Sequence, residues 1–325
     1  MDKIRIAIVG YGNVGKGVEL AVKQNPDMIL GGIFTRRPES VMKYPHDSSV
    51  FHINEARVRA DDFDVAVLCG GSATDLPVQG PQFAEMFNTV DSYDTHAKIP
   101  EYFEAMDRAS RNSGKLSIIS TGWDPGLFSL LRVLGEVALP EGQHYTFWGP
   151  GVSQGHSDAV RRIDGVKDAR QYTFPVEEAV NRVRQRGNPE LTTREKHRRL
   201  CYVVAEEGAD LAEIERQIVT MPNYFADNET EVRFISMEEM TRDHSDMPHG
   251  GFVLRSGRTG TYKQLMEFGV TLDNNPGFTG SVMTAYARAA YRLNKEGQTG
   301  AKTVFDIAPA YLSIKPPEEL RRGLL

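Results

Sequence analysis

The chain has 325 residues, 40% of them hydrophobic and 25% charged, with a formal net charge of −6. That length accommodates two domains, each with its own core, and an acidic balance without a basic block excludes a nucleic-acid backbone as partner. No apolar stretch reaches membrane-spanning length, a strand pattern starts within a few residues of the N-terminus, and Cys69 and Cys201 are too few for a disulfide framework, so the expectation is a cytoplasmic protein with no membrane partner.

The apolar run Ile4–Val9 reads as a buried strand, and Gly10-Tyr11-Gly12-Asn13-Val14-Gly15 follows it directly, opening a stretch with a helical apolar face of Val14, Val18, Ala21 and Val22. Strand, glycine-rich turn and helix in that order form the setting that holds a dinucleotide pyrophosphate: Gly10 allows the tight turn, Gly12 lets the backbone approach the phosphates, and Gly15 lets helix and strand pack closely. A second apolar run, Met28 to Phe34, ends where the ribose should be read. An NAD site usually has an acid there, whereas this chain has Thr35-Arg36-Arg37. Two guanidinium groups and a hydroxyl suit a 2′-phosphate, so the expected cofactor is NADP.

Further buried strands are read at Val65–Cys69, Thr89–Tyr93 and Leu116–Thr121, giving an α/β fold: a Rossmann-type doubly wound parallel sheet. From about Tyr145 the pattern changes to longer strand candidates at Cys201–Ala205, Glu231–Ile235, Phe252–Arg255 and Gln264–Leu272, with a helix at Leu211–Thr220, which suggests a second α+β domain. Ser281–Leu293 reads as a helix and Thr303–Ile307 as a short strand. The expected division is therefore residues 1–145 for the cofactor and 146–280 for substrate and dimerisation, with the tail 281–325 packing back on the first domain.

Chemistry-bearing residues concentrate in segments at strand ends. Thr89 to His96 carries Asp91, Ser92, Tyr93 and Asp94. Ser120 to Gly126 carries Trp123 and Asp124, and Thr146 to Asp158 carries Trp148, Gln154 and Gly155. Trp123 and Trp148, the only tryptophans, placed beside Asp94 and Asp124 would form an apolar slot with two carboxylates, suited to an ammonium group. His144, His156, His244 and His249 lack recognised ligand spacing, so no metal is expected.

These segments resemble the meso-diaminopimelate dehydrogenase family along essentially the whole chain: IRIAIVGYGNVG, FTRRP, LCGGSATDLP, VDSYDTH, STGWDPGLFS, TFWGPGVSQGHSDAVRRI, MPNYF, MPHGG and AKTVFDIAP stand in the family's order. The resemblance implies reversible NADP-dependent oxidative deamination of the D-centre of meso-2,6-diaminopimelate, in a homodimer. By motif position it implies Asp94 and Asp124 as the catalytic carboxylates that hold the reacting amino group, with Trp123 and Trp148 as walls. Gln154 and Gly155 would lie near the reacting carboxylate, Thr173, Arg199 and His249 would clamp the distal carboxylate, and Asn275 would add a distal contact. Gly10 to Gly15, Thr35, Arg36, Arg37, then Cys69, Gly70, Gly71, Ser72, Ala73 and Thr74, and Asp91, Ser92 and Tyr93 are the implied cofactor contacts. The ammonium must lose a proton before hydride can leave, and Asp94 or Asp124 could take it directly or through water. Two alternatives are a reductase of the dihydrodipicolinate reductase type, whose histidine- and lysine-rich motif is absent, and a non-catalytic NADP sensor.

Overall fold

The structure is a computed structural model that describes residues 3–43 and 48–325. Contacts divide it into two units, Met1–Leu130 with Pro276–Leu325, and Leu131–Asn275, a division at 130 and 275 where the sequence patterns suggest 145 and 280.

The first unit is built on a seven-stranded sheet in the order Gly300–Lys302, Leu116–Ile118, Asn88–Asp91, Val65–Leu68, Ile4–Val9, Met28–Thr35, Ser49–His52. Every pairing in it is parallel. Side chains alternate across a strand, so Ile6 and Ile8 enter one core while Ala7 and Val9 enter the other. The first core is covered by Val18 and Val22 of the helix Asn13–Lys23 and by Met283, Tyr286, Ala287 and Leu293 of the helix Asn275–Lys295. The second is covered by Phe83 of Leu76–Ala84 and by Tyr102 and Met106 of Ile99–Ser113. With both faces covered, strands such as Val65–Leu68 are buried throughout, which is why they read as unbroken apolar runs.

The C-terminal segment completes this unit. Gly300–Lys302 supplies the edge strand, and buried Arg288 donates to Asp27 at 2.6 and 2.7 Å, to Asn25 and to the Leu312 carbonyl. Burial pushes the Asp27 carboxyl up, but Arg288 outweighs it and holds the group below its ordinary range. The short strand expected at Thr303–Ile307 is instead a 3-10 turn, Val304–Asp306. Thr303 Oγ1 accepts from the Phe305 amide and Asp306 accepts from the Thr303 amide, so local capping captures the backbone groups a strand would need.

The second unit contains two sheets. One has the order Glu229–Phe234, His197–Ala205, Val166–Pro175, Gly151–Val152, with only the first pair parallel; the other is antiparallel, with the order Tyr262–Leu272, His249–Thr259, Gly142–Trp148. Val166–Pro175 is not among the strands expected from sequence. Its inward positions from Ala169 on are Gln171 and Thr173, so burial alternates while hydrophobicity does not.

The helices Asn13–Lys23 and Asn275–Lys295 meet at glycines. A Cβ on Gly280 would stand 2.4 Å from the Gly17 carbonyl carbon, and one on Gly17 would stand 2.5 Å from the Pro276 carbonyl oxygen. Gly280→Ala should therefore destabilise this unit by about 1–3 kcal/mol and lower Tm by several degrees, whereas Gly323→Ala, where a Cβ meets nothing within 4 Å, should not. Thermal denaturation followed by circular dichroism checks the pair.

Candidate functional site

At the carboxyl edge of the parallel sheet lies a cavity of about 450 Å³ lined by Gly10, Tyr11, Gly12, Lys16, Thr35, Arg36, Arg37, Ser40, Val41, Ile53, Cys69, Gly70, Gly71, Asp75 and Gln79. Gly10 has φ +87°, a Cβ on Gly12 would meet nothing within 4 Å, and a Cβ on Gly15 would collide with the Gly10 carbonyl at 2.4 Å. The three glycines thus provide turn, phosphate approach and helix packing in turn. Gly12 caps the following helix without a side-chain bond, and no acid stands in its first turn, so its N-terminal field is left for an anion.

No carboxylate belongs to the Thr35-Arg36-Arg37 segment, and both arginines are exposed. An acid from elsewhere reaches this segment: Asp75 pairs with Arg36 at 3.1 Å and accepts from the Gly71 amide at 3.1 Å, tying the two phosphate-side segments together. This donor set fits NADP. Lys16, Ser40, Asp75 and Gln79 are lining residues that the sequence reading lacks; Lys16, directly after the fingerprint, carries the one visible signal. Of the expected cofactor residues, Asn13, Val14, Gly15, Ser72, Ala73, Thr74, Asp91, Ser92 and Tyr93 are not in this wall. Val14 packs on the first core, Tyr93 is buried and stacked on Tyr102 at 4.1 Å, and Asp91 is wholly buried. Burial also pushes the Cys69 thiol up, consistent with an inert group.

Asp91 ends its strand, and its carboxylate accepts from the Tyr93 amide at 2.9 Å, the Ser120 amide at 3.1 Å and the Tyr102 hydroxyl at 2.9 Å. Burial pushes its carboxyl up to about 6, against the lowering effect of these three donors. The segments thereby held are those bearing Asp94, which is exposed and whose amide donates to Ser72 Oγ at 3.1 Å, and Trp123 with Asp124. Trp123 is 7% exposed and meets Phe128 edge-on at 5.2 Å. The loop closes so tightly that a Cβ on Gly126 would lie 1.6 Å from the Gly122 carbonyl oxygen.

The second unit gathers its own set. Arg199 and Thr173 face each other across paired strands, and the guanidinium donates to the Thr173 hydroxyl, which also accepts from Gln171 at 3.2 Å. Arg199 Nε is buried without a partner, and no carboxylate among the described residues pairs with this side chain. Burial lowers its pKa to about 10. His249 opens its strand, buried, accepting at Nδ1 from the Gly250 amide at 2.7 Å; burial lowers its pKa, against the raising effect of its bond with the Gly250 backbone, and the Arg199 charge adds to the lowering. Glycine brings the neighbouring turn against both: a Cβ on Gly149 would sit 2.0 Å from the Thr173 carbonyl oxygen, and one on Gly151 would sit 2.3 Å from His249 Cα. Gln154 reaches Met247 Sδ at 3.6 Å, the Asn275 amide donates to the Met247 carbonyl, and Gly155 has open space at its Cβ position. Trp148, 36% exposed, donates its amide to His197 Nε2 at 2.9 Å and stacks on that ring at 5.3 Å. His197 was not legible as a site residue, since a histidine within a run of charges reads as surface.

Comparison with known proteins agrees across the whole chain. Residues 122–274 match the family described as Diaminopimelic acid dehydrogenase C-terminal domain. The chain is 61% identical over 326 residues to the meso-diaminopimelate D-dehydrogenase of Ureibacillus thermosphaericus, covering 100% of both. Among solved structures it is similar to C. glutamicum DAP dehydrogenase in complex with DAP, with TM-score 0.95, 46% identity and 100% of both chains covered. An engineered D-amino acid dehydrogenase bound to NADP+ gives TM-score 0.90 at 44% identity, covering 99% of this chain and 100% of that one.

His197 accepts a hydrogen bond and so must be neutral; burial, then the Arg199 and Lys196 charges, lowers its pKa to about 3. A histidine with a depressed folded pKa contributes stability fully above the unfolded value near 6.5, and that contribution is lost as pH falls toward the folded value. Lowering pH from 7 to 5 should cost the second unit about 2 kcal/mol through this residue. His197→Gln keeps an acceptor and should remove that part of the loss. Urea denaturation followed by Trp148 fluorescence in a Trp123→Phe background checks it, and equal pH slopes for the two proteins would contradict it.

Proposed function

The chain belongs to the meso-diaminopimelate D-dehydrogenase family, and from that membership we propose how its residues divide the work of the reaction. The enzyme is an oxidoreductase that carries out NADP-dependent, reversible oxidative deamination of the D-centre of meso-2,6-diaminopimelate, in lysine biosynthesis. The products are ammonia and L-2-amino-6-oxopimelate, which cyclises to tetrahydrodipicolinate. A dihydrodipicolinate reductase-type activity or a non-catalytic sensor is not favoured, because the full-length relatives bear the dehydrogenase name.

NADP, when bound, accepts the hydride released from the D-centre carbon. In the first unit Gly10, Gly12 and the uncapped helix amides would hold its pyrophosphate, and Thr35, Arg36, Arg37 and Ser40 its 2′-phosphate. Asn13, Ser72 to Thr74 and Ser92 are assigned to the cofactor on motif position.

The observation that carries the substrate assignment is Arg199: a half-buried guanidinium with no carboxylate partner among the described residues and an orphaned Nε, flanked by Thr173 and His249. A buried charge needs a counter-charge, and the distal carboxylate of a long zwitterion supplies one. We assign Thr173, Arg199, His249 and Asn275 to that L-centre end, and Gln154 and Gly155 to the reacting carboxylate. Asp94 and Asp124 hold the reacting amino group, and one of them takes its proton; Trp123 and Trp148 serve as apolar walls. Fixing the far end selects which stereocentre is presented.

The second unit is also assigned to dimerisation. Its edge strand Tyr262–Leu272 is exposed over nearly its whole length, with Met266 38% and Phe268 54% exposed, and an uncovered apolar edge is a natural seat for a second copy. Sedimentation at micromolar concentration should give the dimer mass. No helix among the described residues is long and apolar enough to cross a membrane, and both cysteines are free thiols, which suits a cytoplasmic location.

Two substitutions test the assignments. Arg36→Ala with Arg37→Ala should weaken NADP by roughly 100-fold while changing NAD binding by less than about threefold, because only NADP carries the 2′-phosphate. Titration of both nucleotides decides it, and equal losses would show that the arginines do not read the phosphate. Arg199→Ala should lower kcat/KM for meso-diaminopimelate by roughly 10- to 100-fold, the loss of a charge-assisted contact, and affect a short D-amino acid much less. Equal losses on both substrates would make Arg199 structural.

A further inference from the structure

We propose that Asp91, whose side chain is wholly buried and outside the cofactor cavity wall, is a positioning residue for the reaction: its carboxylate locks together the two strand-end segments that carry Asp94 and Trp123–Asp124. The inference rests on the dehydrogenase reading for its kinetic consequence and on the first unit's own geometry for its physical basis.

The sheet ladder between Asn88–Asp91 and Leu116–Ile118 pairs Thr89 with Ser117 and Val90 with Ile118, then stops. Beyond it the Ile119 amide turns to the Lys302 carbonyl at 3.0 Å, and Ser120 adopts φ 57°, a left-handed conformation unfavourable for a residue with a Cβ. The segment therefore leaves the sheet at Ser120, and its amide has lost the partner that the ladder would have provided. Asp91 replaces that partner. One carboxylate oxygen, Oδ1, accepts from both the Ser120 amide and the Tyr93 amide, so a single atom joins the two segments. The Asp91 carbonyl adds two more bonds across the same gap, from the Thr121 amide and the Thr121 hydroxyl, each 2.9 Å.

Asp94 is one residue beyond Tyr93, and Trp123 is three beyond Ser120. The segments remain in contact, since a Cβ on Gly122 would be 3.7 Å from Ser92 Cβ. Loss of the Oδ1 bridge would leave the two segments joined there only through the Asp91 carbonyl, loosening Tyr93 and Ser120, while the cofactor cavity wall, which excludes Asp91, stays in place. Misplacement of catalytic groups by about 1 Å can cost on the order of 100-fold in rate.

The second carboxylate oxygen makes charge and geometry separable. Oδ2 accepts only from the Tyr102 hydroxyl. In Asp91→Asn the amide oxygen can keep both backbone donors while the new NH2 donates to Tyr102 Oη, so each of these groups keeps at least one partner, Tyr102 now accepting where it had donated. In Asp91→Ala no side-chain acceptor is left and the Tyr93 and Ser120 amides are orphaned. We therefore expect Asp91→Asn to retain kcat within about threefold, and Asp91→Ala to lose roughly 100-fold in kcat with NADP affinity changed less than fivefold.

The experiment is steady-state oxidation of meso-diaminopimelate by wild type, Asp91→Asn and Asp91→Ala, with NADP titrated separately. It is accompanied by residue-resolved hydrogen exchange of the Tyr93 and Ser120 amides in the NADP-bound wild type and Asp91→Asn proteins. A merely structural aspartate would lower melting temperature without a kcat loss confined to the alanine variant. Asp91→Ala turning over within threefold of wild type, or Asp91→Asn losing as much as alanine, overturns the proposal. Where the alanine protein does not fold, exchange decides: joint protection of both amides in wild type and in Asp91→Asn supports the tie, and exchange at exposed-loop rates overturns it. Wild-type inactivity toward meso-diaminopimelate would instead overturn the functional reading, with the exchange result still testing the tie.

Discussion

All seven strands of the first unit run in one direction, so every strand ends at the same edge. At that edge the ladder stops and backbone groups must find other partners, because unpaired buried amides and carbonyls are costly. The chain meets this requirement with particular residues. The Gly10 amide goes to the Phe34 carbonyl, the Cys69 amide to the Val9 carbonyl, and the Ser120 and Tyr93 amides to Asp91. The glycine turn, the arginine pair and the carboxylate-bearing segments all leave the sheet at these points. Chemistry concentrates there because this is where the fold obliges the backbone to turn out and where side chains are free to project.

The second unit solves a different problem, the burial of a positive charge. Arg199 lies among Thr173, His249 and His156, and none of these can neutralise it. Burial, then the Arg199 charge, lowers His156 to about 3, so this imidazole stays neutral and adds no further repulsion, and His249 is shifted in the same direction. Gly149 and Gly151 permit backbone contact distances that no side chain would allow, packing this pocket without a competing acid. An unmatched, half-buried cation is unfavourable by itself, which is the ground for proposing that a ligand supplies the counter-charge.

Much of this was legible in the sequence, for physical reasons that also explain what was not. Gly10 and Gly15 announce themselves because their backbone tasks exclude a side chain, Gly12 because it keeps the phosphate approach open, and doubly covered strands such as Ile4–Val9 because both faces must be apolar. Val166–Pro175 is hidden because Gln171 and Thr173 occupy its buried positions. Thr303–Ile307 misleads because a capping threonine and aspartate mimic strand alternation. Asp75 and His197 act through partners distant in sequence, Arg36 and Trp148, and a single chain shows no trace of such pairings. Asp91 is legible as a strand-end acid, yet only coordinates separate an acid facing a ligand from one folded inward onto Tyr93, Ser120 and Tyr102.

The central proposal is that the residues assigned to the distal carboxylate anchor the L-centre and so select the D-centre for reaction. The most direct measurement uses meso-diaminopimelate deuterated only at the D-centre carbon, with L,L-diaminopimelate as comparison, and follows NADP reduction by absorbance and mass spectrometry. The account predicts deuterium in the reduced nicotinamide from the meso substrate and no detectable reduction with the L,L isomer. Reduction by the L,L isomer at a comparable rate, or unlabelled nicotinamide from the deuterated meso substrate, would contradict it.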